Sequence, residues 1–310
     1  MAAIFVGSFL FLVLCSAYIG SYLLVIPLII VHVVLFRTEY NDIANEIIRF
    51  FILRSGKFQQ VFWHWAYNKL ASINTSNSWT CMNYGYHEPP NTFITERSDE
   101  VFCLQLYHIV GSAFRTINSF DGLNIIEVGS GRGGGLAYLT RTFNPESAIG
   151  VDLSEEQVKL CNSFYSDRRL RFVQGDSENL PIDKESADIV INVESSHCYG
   201  HIEVFYQEVY RVLRTGGKFL YTDFMREQDV GYKEGLLLKT GFKFIKKADI
   251  TSNVLGSMDM QEERKVRMIA QYDKCKKLLL SRFAGVKGSR IYQDFTNRSM
   301  PYMAYELVKA

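Results

Sequence analysis

Between Asn124 and Asp152 the chain reads NIIEVGSGRGGGLAYLTRTFNPESAIGVD, and no other stretch restricts the fold as much. A short apolar run (Ile125, Ile126, Val128) leads into a glycine-rich turn and a helix-like segment. A second apolar run, Ala148 to Val151, then ends on an acid. Strand, glycine turn, helix, strand and acid make one βαβ unit, so an α/β fold with a parallel sheet is expected. Gly129, Gly131 and Gly133 carry no Cβ, which lets the backbone turn tightly and approach a nucleotide-type ligand closely. Asp152, at the tip of the second strand, is placed to accept hydrogen bonds from ribose hydroxyls.

A glycine turn alone fits several nucleotides, and two details narrow it. Glu127 lies inside the first strand immediately before the turn. A pyrophosphate would be repelled by that carboxylate, whereas the amino group of a methionine-type ligand would be attracted. A third strand-like run, Leu170 to Gln174, ends in Gly175-Asp176-Ser177-Glu178, a second acidic site where an adenine amino group can be read. Together these select S-adenosylmethionine over a nicotinamide dinucleotide.

The 310 residues suffice for one large domain or two small ones, and the net charge of +1 gives no electrostatic reason to expect nucleic acid. The six cysteines are scattered, with no CxxC and no metal-ligand spacing, and read as free thiols of a reducing compartment.

Met1 to Phe36 contains no Asp, Glu, Lys or Arg. That run exceeds the ~20 residues that cross a bilayer as a helix, and nothing basic precedes it as in a signal peptide. A transmembrane anchor over 1–36 is expected, and either one tilted crossing or a hairpin at Gly20 and Pro27 fits. Arg37, Arg49, Arg54 and Lys57 follow the span, which places the bulk of the chain on the cytosolic side, with the endoplasmic reticulum favoured. Residues 37–97 read as an amphipathic and aromatic linker that caps the substrate. Within it, residues 40–72 suit a helix on the membrane or an ordinary packing helix, and Trp79 to His87 suits a pocket wall or core packing.

The domain proper is expected over 98–310. Ser98 to Ile117 reads as a helix, and Ser154 caps another running to about Tyr165. Ala187 to Val193 is nearly continuous in apolar residues, as a buried parallel strand should be. Its carboxyl end carries Glu194 to Tyr199, where open α/β sheets place their ligands. A helix from Ile202 to Leu213 is expected to stop at Thr215-Gly216-Gly217, and a fifth strand, Lys218 to Thr222, ends at Asp223. Phe242 to Ile250 and Tyr302 to Val308 read as a late strand pair, with a helical insertion from Met258 to Phe283 placed as a lid, about 255–290.

The set Glu127-Val128-Gly129-Ser130-Gly131, Asp152, Gly175-Asp176 and Arg211 to Gly217, in this order, resembles the class I S-adenosylmethionine-dependent methyltransferases. Gly133 to Gly135 with Tyr138 to Thr142, Gly175 to Pro181, Asn192 to Tyr199 and Phe283 to Val286 are similar to a narrower group, the mycobacterial phthiotriol and phenolphthiotriol dimycocerosate methyltransferases. Those enzymes O-methylate a hydroxyl on a long lipid. The chain departs from them in its N-terminal apolar segment. The resemblance implies a Rossmann-like, mostly parallel seven-stranded sheet with a late antiparallel strand. It implies that Glu127, Gly129 and Gly131 hold the methionine end of the cofactor, Asp152 the ribose, and Asp176 with Ser177 the adenine. Asn192 would lie beside the sulfonium.

Methyl transfer to an alcohol requires alignment of the acceptor and removal of its proton. His197, just past the fourth strand, is the candidate base, since its pKa lies near working pH. His201 is its nearest competitor. Related O-methyltransferases of this fold place an aspartate after the fifth strand, which makes Asp223 the expected partner. A helix-capping or packing histidine is the plainer reading of His197. The expected acceptor is a lipid or other hydrophobic small molecule at a membrane. A sterol- or quinone-type C-methyltransferase and a nicotinamide oxidoreductase are the alternatives, together with a tethered protein that only binds the cofactor.

Overall fold

A computed structural model describes residues 79–88, 94, 99–272, 277, 281 and 284–310. The expected anchor over 1–36 and the amphipathic stretch 40–72 lie outside the described residues. Among the described residues no helix is long and apolar enough to cross a membrane.

The glycine-turn unit forms as its pattern requires. β1 (Asn124–Val128) leads into α2 (Gly134–Phe143), preceded by α1 (Val101–Gly111) and followed by β2 (Ser147–Asp152). Gly133 caps α2 from the left-handed region at φ +75, and Asn144 closes it at φ +56. α3 (Glu155–Phe164) starts at Ser154, whose Oγ accepts from Gln157 N–H at 3.2 Å. β3 (Leu170–Gln174), β4 (Ala187–Val193), α4 (Ile202–Val212) and β5 (Leu213–Phe224) complete the parallel part. α5 (Glu227–Thr240), β6 (Phe242–Asp249), α6 (Thr251–Ala270), α7 (Arg290–Thr296) and β7 (Tyr302–Lys309) follow.

The seven strands lie in the order β3-β2-β1-β4-β5-β7-β6. β1 to β5 are mutually parallel, and β7 enters antiparallel between β5 and β6. This is the Rossmann-like sheet with the late antiparallel strand that the sequence implies. The strand order reverses between β1 and β4, so the crevice for a ligand opens at their carboxyl ends.

Alternation along β4 fills both faces. Ile189 and Ile191 join a core with Leu106, Leu136 and Leu139, while Val190 joins one with Phe205, Val209 and Phe219. Tyr206, Phe219 and Tyr221 are fully buried. Each such aromatic side chain contributes about 2 to 3 kcal/mol by burial.

Three boundaries differ from the expectation. The helix expected over 98–117 ends at Gly111, because Ala113, Phe114 and Arg115 take left-handed φ of 46, 59 and 72° and Ser112 N–H closes onto His108 O. Thr215-Gly216-Gly217 does not stop α4. The chain passes from Val212 straight into β5 at Leu213, and Gly216 (φ +79) sits in a bulge before pairing resumes at Ile189 with Lys218. The late helix starts at Thr251, seven residues before Met258, where Asp249 Oδ1 accepts from Thr251 N–H at 2.9 Å.

Candidate active site

The carboxyl ends of β1, β2, β3 and β4 surround a cavity that opens to solvent. Its floor is the Gly129 to Arg132 turn, with Gly129 at φ +73 and Gly131 at φ +52. A Cβ on Gly129 would stand 2.3 Å from Ser195 Oγ, so this close approach requires glycine. Asp152 Oδ2 accepts from Gly131 N–H at 2.7 Å and Oδ1 from Ser154 N–H at 2.9 Å. The acid therefore braces the glycine turn and the start of α3 while lining the cavity. Gly175, Asp176, Ser177 and Glu178 line the β3 side, where Asp176 Oδ1 accepts from Glu178 N–H at 2.9 Å.

The aromatic segment divides between two tasks. Thr80, Cys81, Met82 and Asn83 form a wall of the cofactor cavity. Glu100 holds that wall by accepting from Thr80 N–H at 2.9 Å and Cys81 N–H at 3.0 Å. Arg132 reaches back to Trp79 O, and Gly134 N–H donates to Thr80 O at 3.1 Å. Tyr84 to His87 instead run along α1 and α6: Tyr86 N–H bonds Phe102 O, and Ser257 Oγ bonds Tyr84 O at 2.8 Å. The late helix thus packs on this segment and contributes no residue to the cavity wall.

Two expected contact residues lie beneath the wall rather than on it. Glu127 is fully buried, and Tyr107 O–H donates to its Oε1 at 2.7 Å. Oε2 has no partner among the described residues. Burial pushes this carboxyl up to about 8; the Tyr107 bond opposes the shift and the Asp152 charge adds to it. Asn192 is also fully buried, with Nδ2 directed at Val128 O (2.9 Å), Ser195 Oγ (2.8 Å) and Tyr199 O–H (3.0 Å). It positions Ser195 and Tyr199, which do line the cavity. The alternation of a strand places such side chains one layer down, which residue order alone does not reveal.

These groups fit a cofactor with an ammonium, a ribose and an adenine. Glu127 offers a buried carboxyl oxygen with no partner beneath the turn, the glycine cradle is closed to any Cβ, and Asp152 and Asp176 face the cavity. Gln157 also lines it, with neither amide atom partnered among the described residues. In the sequence Gln157 shows only as the residue whose N–H the Ser154 helix cap accepts.

Beyond the β4 tip, His197 Nδ1 lies 2.9 Å from Asp223 Oδ1. Asp223 is fully buried and also accepts from His197 N–H at 2.9 Å, Ser196 O–H at 2.6 Å and Phe224 N–H at 2.8 Å. Burial opposes charge on His197, but the Cys198 sulfur together with the charge and hydrogen bond of Asp223 outweighs it and holds the imidazole well above its usual value. Asp223 is held below the usual carboxylate range: burial pushes it up, and the His197 charge and bond more than offset this. The expected His–Asp pair is therefore assembled. Neither member lines the cofactor cavity; Cys198 and Glu194 do. His201 is committed elsewhere, its Nδ1 lying 2.8 Å from Glu178 Oε2.

Residues 126–221 match a family model described as a methyltransferase domain. The chain is 36% identical over 234 residues to the phthiotriol/phenolphthiotriol dimycocerosates methyltransferase of Mycobacterium tuberculosis, covering 74% of this chain and 84% of that protein. It is 34% identical over 233 residues to the fatty-acid O-methyltransferase of Mycolicibacterium smegmatis, covering 74% and 82%. Among solved structures, the [4+2]-cyclase SpnF superposes with a TM-score of 0.64 at 17% identity, over 81% of this chain and 95% of that one, a likeness of fold.

Proposed function

The chain belongs to the class I S-adenosylmethionine-dependent methyltransferases, in the family of the phthiotriol/phenolphthiotriol dimycocerosates methyltransferases, and from that premise we propose that it O-methylates a hydroxyl of a lipid or other hydrophobic small molecule at a membrane. The family membership closes the nicotinamide alternative. The bound cofactor supplies a methyl group already activated on a sulfonium. Gly129 and Gly131 with Asp152 shape its seat, Asp176 and Ser177 take the adenine side, and Glu127 and Asn192 act from below.

The single observation that carries hydroxyl methylation is the His197–Asp223 pair. Asp223 fixes the imidazole through Nδ1 and the backbone N–H, so the ring is oriented before any acceptor arrives. In this reading His197 takes the acceptor's proton and Asp223 stabilises the resulting imidazolium. Because the pair holds His197 well above its usual pKa, the basic form grows as pH rises, and turnover should climb with pH through and above neutrality. The names of the two relatives, one a methyltransferase of dimycocerosates and one of fatty acids, support a hydrophobic acceptor. The uncharged run over 1–36 with basic residues following supports a membrane-anchored enzyme facing the cytosol, with the endoplasmic reticulum favoured.

The test is methyl transfer from labelled S-adenosylmethionine by the detergent-solubilised full chain. Long-chain alcohols, fatty acids, sterols and quinols serve as acceptors, and products are read by mass and by the chemical shift of the new methyl group. A methyl ether is the expected product. A methyl group on carbon would replace this reading with the sterol- or quinone-type reaction. Cell fractionation checks the location: recovery in the soluble fraction would remove the membrane part of the proposal.

A further inference from the structure

The tip of β4 carries a carboxyl group that the His197–Asp223 pair does not account for. Glu194 stands at φ +51, a left-handed conformation disfavoured for a long side chain, and its N–H is pinned to Thr222 O at 2.9 Å. Its Oε2 accepts from Tyr84 N–H at 2.9 Å and from Tyr302 O–H at 2.7 Å, donors 110 positions before it and 108 after it. Oε1 has no hydrogen bond among the described residues. Glu194 lines the cavity, whereas His197 and Asp223 do not. A strained backbone and two distant donors thus hold one carboxylate on the wall at the methyl-transfer end, with one oxygen to spare.

The charges around it explain what such a group does. Burial pushes the Glu194 carboxyl up to about 7, against the Tyr84 and Tyr302 bonds and the His197 charge, with Asp223 adding to the rise. Lys265 of α6 also acts on it electrostatically. Without Glu194, the sulfonium charge would stand uncompensated at this end of the cavity, because Asp223 already balances a protonated His197. A cationic cavity draws in long-chain carboxylates, which share an apolar tail with long-chain alcohols.

We propose that Glu194 is a specificity-determining residue of the methyl-transfer site: its carboxylate offsets the sulfonium charge, admits uncharged hydroxyl acceptors and repels carboxylate acceptors. The inference rests on the hydroxyl-methylation reading above and names the acceptor charge that the site selects. Discrimination here works by repulsion of the wrong acceptor as much as by attraction of the right one.

The experiment compares wild type, Glu194→Gln and Glu194→Asp as full-length protein in detergent. Acceptors are 2-hexadecanol and hexadecanoic acid, and binding of S-adenosylmethionine and S-adenosylhomocysteine is followed by calorimetry. Wild type should favour the alcohol by about 30-fold in kcat/KM, and Glu194→Gln should cut that ratio about tenfold by gaining on the acid. Glu194→Asp keeps the charge and suits a left-handed backbone, so it should retain the preference. In Glu194→Gln, affinity for the cationic donor should fall about tenfold while affinity for neutral S-adenosylhomocysteine stays within about threefold. An unchanged acceptor ratio in an active Glu194→Gln enzyme overturns this inference alone. An equal loss for both cofactor forms also overturns it and assigns Glu194 to the amino-acid end of the cofactor. Absence of methyl transfer to either oxygen acceptor by wild type overturns the hydroxyl reading, and this inference with it.

Discussion

From Gly129 to Glu178 one continuous stretch of chain supplies the side of the cavity proposed for the adenosine, largely through backbone geometry and short-range bonds such as Gly131 N–H and Ser154 N–H to Asp152. The transfer side is assembled differently. Glu194, His197 and Asp223 come from two strand ends, and Glu194 is held by Tyr84 and Tyr302, each more than a hundred positions away. The first side is complete once β1, β2 and β3 pair. The second is complete only when β7 inserts beside β5 and the Thr80 to His87 segment docks.

The largest expected effect tests the first half of that contrast. Asp152→Ala removes two charge-assisted bonds, one to the glycine turn and one to the start of α3, together with the proposed ribose contact. S-adenosylhomocysteine affinity should weaken by about 3 to 4 kcal/mol, several hundredfold by calorimetry. Retained micromolar binding would show that the turn is held without its acid.

Asp223→Asn tests the second half. It should lower kcat about 100-fold while leaving S-adenosylhomocysteine affinity unchanged. The sign of the pH effect is fixed by the pair: Asp223 raises the His197 pKa, so its loss should move the rising limb of the kcat profile to lower pH. An equal loss of cofactor affinity would erase the separation between the two regions.

Gly135→Ala probes the support beneath the turn. A Cβ there would lie 1.9 Å from Tyr107 Cζ, driving that ring off Glu127. Overpacking of this kind should cost about 2 kcal/mol of stability, read from urea unfolding.

The smallest effect is a pH dependence. Glu127 (about 8) and Glu194 (about 7) are both raised above the carboxylate value they regain on unfolding. Between about pH 4.5 and 8 the folded chain therefore holds protons that the unfolded chain has released, so stability falls as pH rises. The high His197 pKa acts with the same sign. The Tm of the cofactor-free protein should drop from pH 6 to pH 8.5, less so in Glu127→Gln. A flat profile would show that neither carboxyl is held neutral by burial.

Much of this was legible in residue order. Ile125, Ile126 and Val128, the glycines after them, and Ala187 to Val193 announce strands and a turn through short-range pattern, and all lie where expected. Asp152 and Asp176 were legible at strand tips, because strand ends of an open parallel sheet converge on one edge, whereas the pairing of His197 with Asp223 was implied by the family resemblance. Gly216 misled, since a glycine that can stop a helix can equally make a bulge, and only the pairing of β5 with β4 decides between them.

What the sequence by itself determined is therefore the local set: which segments are strands, where positive φ is needed, and which acids stand at strand tips. Only the tertiary structure decided that Glu127 and Asn192 lie beneath the wall and that Glu194 stands on it. The physical reason is range. Backbone pattern is written within a few residues, whereas the direction of a side chain at a strand tip depends on donors such as Tyr84 and Tyr302 that only the folded chain brings together.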